Sequence, residues 1–83
     1  MNRQWVLFHL LREAEAELRQ TIAEIEGTPD YGYGEFSVAI AHAYHHLNTA
    51  WNSKDESETR VEASEEADFF KWRQFPTDIY LGP

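Results

Sequence analysis

From residue 2 to residue 26 the chain runs without a Pro or Gly, and Leu7, Leu11, Ala14, Leu18, Ile22 and Ile25 recur at steps of three and four. That spacing lays them along one stripe of an α-helix, and the Leu, Ala, Glu, Gln and Arg around them are good helix formers. Asn2 is a residue type suited to an N-cap, Gly27 stands where a left-handed closing residue is wanted, and Pro29 prevents continuation. The segment 28–34, TPDYGYG, can only turn the chain. A second helix is predicted over about 35–52, with Phe36, Ile40, Ala43, Tyr44, Leu47 and Trp51 on one face. So short a connection makes the two helices antiparallel neighbours, a hairpin with its Leu47 stripe turned inward.

Residues 53–68 read SKDESETRVEASEEAD and carry five of the net negative charges. Thr59 with Glu62 has the spacing of a capping box, and Ser64 is followed by acids suited to the positive end of a helix dipole. A third helix is therefore predicted over about 60–74, starting at residue 60 or 64. Phe69, Trp72 and Phe75, three apart, would face the hairpin, and Pro76 ends the helix. The tail 76–83 lacks a helical pattern, and its Ile79, Tyr80 and Leu81 are expected to dock in extended form. The predicted fold is all-α: an antiparallel helical hairpin, a short third helix and an extended C-terminal tail, in one small domain over 1–83.

Composition narrows the function. With 83 residues the chain buries only about 60% of its unfolded surface, so a lone copy needs extra support. Having no Cys, it has no disulfide, thiolate metal site or cysteine nucleophile. Its 15 acidic against 7 basic residues, a net charge of −8, argue against binding nucleic acid or an anionic membrane. The chain has no run of apolar residues long enough to span a bilayer and no secretory leader pattern, so cytoplasmic residence is expected.

The one concentration of ligand-type residues is AHAYHH, which places His42, His45 and His46 within five residues. His42 and His46, at i and i+4, can put two imidazoles on one metal ion, but a structural zinc site takes four ligands and a catalytic one three. The wheel turns His42 and His45 away from the Leu47 stripe, outward in a monomer. The acids of 65–68 lack the Gly-centred loop of a calcium site, YGYG is too sparse for a phosphate cradle, and no nucleophile motif occurs. Neither catalysis nor a cofactor is implied.

The second helix contains no charged residue from Phe36 to Asn52, and such a helix is usually enclosed on more than one side. Trp5, Val6, Phe8 and Leu10 add apolar surface beyond the first helix's stripe. Either the third helix and tail cover this surplus, or a second copy does, making a homodimeric helical bundle. The interface expected from the sequence comprises Trp5, Phe8, Val38 and His45, with Tyr31 and Tyr33 as a further docking point. The expectation is thus an acidic, non-catalytic protein-interaction or regulatory module, able to attract a basic protein partner. The alternative is a metal-binding helical protein using His42, His45 and His46.

Overall fold

Asn2 opens the first helical arm, its side-chain oxygen accepting the Trp5 backbone N–H at 3.1 Å. In the computed structural model, which describes residues 1–82, the arm runs over 3–27. Its first part is a π-helical stretch, Trp5–Leu11, that passes into α1, Arg12–Gly27. The Arg12 N–H reaches back five residues to the Leu7 carbonyl, the signature of the wider turn. Each π-helical residue advances less than the 100° of an α-helix, so the lag accumulated over Trp5–Leu11 swings Trp5 and Val6 round towards the second helix. Gly27 stays inside the last turn, and the chain leaves through an extended Thr28. The left-handed stop expected at Gly27 is absent, since among the described residues Gly82 is the one with positive φ.

The second helix, α2, covers Tyr33–Asn52, two residues longer at its start than expected. The Glu35 carboxylate accepts the Gly32 N–H at 2.5 Å and fixes that start. Cross-helix pairs descend in α2 as they rise in the first arm: Trp5 meets Ser53, Glu17 meets His46, and Ile25 lies beside Phe36. The helices are therefore antiparallel, and the fold is all-α with no strand among the described residues.

The seam of the hairpin differs from the expected one. Its buried residues are Val6, Leu10, Ala14 and Thr21 from the first arm and Ala43 and Ala50 from α2. Leu18, Ile22, Ile25, Phe36, Tyr44 and Leu47 remain about half exposed. Small side chains let two helices approach towards the short end of the 8–10 Å range, so the bulky stripes sit beside the line of closest approach.

Residues 58–72 form two short helices instead of one: α3, Glu58–Glu62, and α4, Glu66–Trp72. Ser57 caps α3 by accepting the Arg60 N–H, in place of the expected Thr59 box. The Glu65 N–H donates to Asp68 at 3.0 Å to open α4, and Arg60 pairs with Asp68 across the break. The pairing holds the Asp68 carboxyl below its ordinary range, chiefly through the Arg60 hydrogen bond. Trp72 is buried, while Phe69 and Phe75 are half exposed. Asn48 and Asn52 of α2 tie α4 down, donating to the carbonyls of Arg73 at 3.0 Å and of Trp72 and Gln74 at 2.7 Å each. The tail is anchored where the Trp51 indole N–H donates to Asp78 at 2.9 Å.

Candidate functional site

The hairpin has two unlike sides. On one, Glu13 and Glu17, a turn apart on α1, face His42 and His46, a turn apart on α2. Glu17 Oε1 lies 3.2 Å from His46 Nε2 and 3.9 Å from His42 Nδ1, and Glu13 Oε2 lies 3.7 Å from His46 Nδ1. The other carboxylate oxygen, Glu17 Oε2, is buried without a partner. Farther along this side, Gln20, Glu24, Glu35 and Val38 line a groove of about 390 Å³ that ends at His42. Among the described residues no three His, Asp or Glu side chains are gathered in an arrangement that could hold a metal ion.

His45 is half-buried in a hollow bounded by Trp5, Leu10, Thr49, Phe69 and Arg73, so α4 covers the ring that the helical wheel turned outward. Burial, reinforced by the Arg73 charge and by His42 and His46, holds its imidazole below the ordinary histidine value. Trp5 is half-buried too, stacked at 5.4 Å on His9, with its indole N–H donating to Ser53 Oγ at 2.8 Å. Phe8 is exposed beneath the Arg12 guanidinium, 5.4 Å from the ring centre, and Val38 is exposed in the polar groove. Tyr31 is half-buried, its hydroxyl raised in pKa by burial and by Glu24 and Glu35, whereas Tyr33 is almost fully exposed. The structure therefore brings Trp5 and His45 together in the hollow beside α4, whereas Val38 lies in the polar groove and Phe8 lines neither.

The opposite side is apolar. On α1, Leu18, Ile22 and Ile25 are displaced from the seam in one rotational sense, and on α2, Phe36, Ile40, Tyr44 and Leu47 are displaced in the same sense. In antiparallel helices an equal sense of displacement brings both stripes to the same side. The hollow shared by Ile25, Tyr31, Tyr33 and Phe36 joins them at the loop end, and a second, lined by Phe36, Ile40 and Tyr44, continues along α2. The π-helical lag carries Leu7 and Leu11 onto the same line, and both are exposed by 40% or more. Leu18, Ile22, Ile25, Tyr44 and Leu47 thus form a surface that hydropathy periodicity assigned to the interior. The signal for the true seam was present in Ala14, Thr21, Ala43 and Ala50, whose small size marks the line where two backbones can come closest.

Fold and geometry define a small all-α hairpin protein with one acidic, histidine-bearing side and one apolar side. Set against known proteins, the chain matches no family model, no curated protein and no solved structure. No helix among the described residues is long and apolar enough to cross a membrane.

Proposed function

We propose that this chain is a non-catalytic, cytoplasmic protein-interaction module that docks through the apolar side of its hairpin. The observation that carries the reading is the row of half-exposed large side chains, Leu7, Leu11, Leu18, Ile22 and Ile25 beside Phe36, Tyr44 and Leu47, on one side of two helices. Folded monomers seldom leave so long a continuous apolar surface in water, and such surfaces mark sites of association. No charged residue lies in either row, so the partner is bound by apolar burial, and complementary charge is left to the rim. A photo-crosslinking amino acid introduced at Leu18, and separately at Val38, tests this in living cells. The expected result is discrete protein adducts from position 18 and none from position 38; no adduct from position 18 would refute it.

A second reading is a divalent metal held by His42 and His46 and completed by another chain, since among the described residues no third side chain joins them in a metal-holding arrangement, although Glu17 Oε1 lies within 4 Å of both rings. Thermal melting with added zinc and with chelator tests it. A rise in melting temperature with zinc, lost in His46→Ala, would establish the site; superimposable melts would remove it.

A further inference from the structure

We infer that the occupant of the apolar side is a second copy of this chain, two hairpins packing face to face as a four-helix bundle. The inference rests on the reading of that side as a docking surface and adds the identity of the partner.

Surface area is the first argument. The folded chain exposes 6339 Å². A self-sufficient monomer of 9.7 kDa exposes about 5100 Å² by the usual scaling with mass. The surplus of roughly 1200 Å² is of the size each partner brings to a standard interface, about 800 Å², or to a larger obligate one. Shape agrees with area. The radius of gyration is 14.6 Å, against about 12 Å for a compact domain of this length. The extents, 44 × 32 × 22 Å, are those of a flattened body.

The core supplies the second argument. Its buried apolar residues are Val6, Leu10, Ala14, Ala43, Ala50 and Trp72, half of them alanines. So small a core leaves the fold dependent on whatever covers the apolar side, and the cover must be present whenever the chain is. A second copy meets that condition by itself. Bundles of this kind place bulky Leu, Ile and Phe between facing helices, which is what the two rows provide.

Charge placement is the third argument. At a net −8 two copies repel, unless the acids stand away from the contact. Here they do. Glu13, Glu17 and Glu24 face the other side, and a further group lies within 55–68. Along the outer edge of the apolar row on α1, Glu15 and Arg19 carry both signs in an i, i+4 pair at 4.0 Å. A basic partner would be drawn to the acidic side, away from the apolar row.

The test is the mass of the whole chain by light scattering from micromolar to submillimolar concentration, for the native sequence, Ile22→Glu and Leu47→Glu. The expected mass is about twice 9.7 kDa for the native chain at the upper end. Each variant should give the single-chain mass, or lose its helical circular dichroism because the single chain cannot stand alone. A native chain that stays at single-chain mass and fully helical throughout would overturn the inference. So would a dimer whose mass neither variant changes. In the first case adducts from position 18 containing some other protein would leave the docking reading standing, whereas the absence of any adduct would end both.

Discussion

The two sides of the hairpin are built from the same two helices, and on α1 they lie roughly half a turn apart around the axis. On one, Glu13, Glu17, His42 and His46 meet through charged and polar atoms at 3.2 to 3.9 Å. On the other, Leu18, Ile22, Phe36 and Leu47 remain about half exposed to solvent. What separates them is the position of the seam. Ala14, Thr21, Ala43 and Ala50 make the closest approach, so the acids and histidines fall just to one side of it and the bulky aliphatic residues to the other. The lesson is that an amphipathic stripe reports which surface must be buried, whereas side-chain size along a neighbouring line reports what the helix packs against first. In this chain the two answers differ, and the difference creates the docking surface.

The strongest way to break that comparison is to place a carboxylate on each side in turn. Leu47→Glu puts an unpaired charge into the proposed interface of both copies. It should weaken self-association by about 5 kcal/mol, several thousandfold, in sedimentation equilibrium. Val38→Glu, at an equally exposed position on the polar side, should leave the association constant within a factor of two or three.

Trp72→Ala sharpens the contrast from the opposite direction. Trp72 is 3% exposed and seats α4 against α2 away from the apolar row. Its truncation should cost about 4 kcal/mol in urea unfolding. The dimer should persist at concentrations where the variant remains folded, which separates the small internal core from the interface.

A smaller effect is expected at Ser53→Ala. Ser53 is fully buried, and its hydroxyl accepts the Trp5 indole N–H. Removing that acceptor strands a half-buried donor at a cost of about 1 to 2 kcal/mol. A shift in tryptophan emission should accompany it, with no change of mass.

The smallest is a pH dependence on the polar side. His45 is held below its ordinary value of 6.5 in the fold, mainly by burial and next by Arg73. As pH falls through 6.5 the unfolded chain takes up a proton that the folded chain resists, so stability declines below that point and levels off beneath the folded value. Unfolding followed from pH 8 to pH 5 should show this slope, and His45→Gln should reduce it. A slope that His45→Gln left unchanged or made steeper would contradict the placement of the ring beside Arg73.

Much of the fold is legible in the sequence. The uninterrupted helix formers up to Glu26, the turn at TPDYGYG and the threes and fours of both helices led to an antiparallel all-α hairpin. The interface was less legible, for two physical reasons. A π-helical stretch leaves no mark in an apolar pattern read at 100° per residue, so Trp5 and Val6 looked surplus when they are turned towards α2. And a stripe of Leu and Ile reads alike whether its cover comes from the same chain or another. The break between α3 and α4 was hidden for a related reason. Ser57, Thr59, Ser64 and Glu65 are all competent caps, and the hydrogen bonds of Ser57 and Asp68 decide among them only once the chain is folded.

The measurement that tests the central claim most directly is hydroxyl-radical footprinting of the native chain across a dilution series. Residues that are half exposed in a single chain are read out on both sides of the hairpin at once. If the apolar side is a docking surface for a second copy, Leu18, Ile22, Phe36, Tyr44 and Leu47 will be protected at high concentration and will label on dilution. Val38 on the polar side and Phe75 just before the tail will label equally throughout. Labelling of Leu18, Ile22 and Leu47 at the rate of Val38 at every concentration would contradict the account.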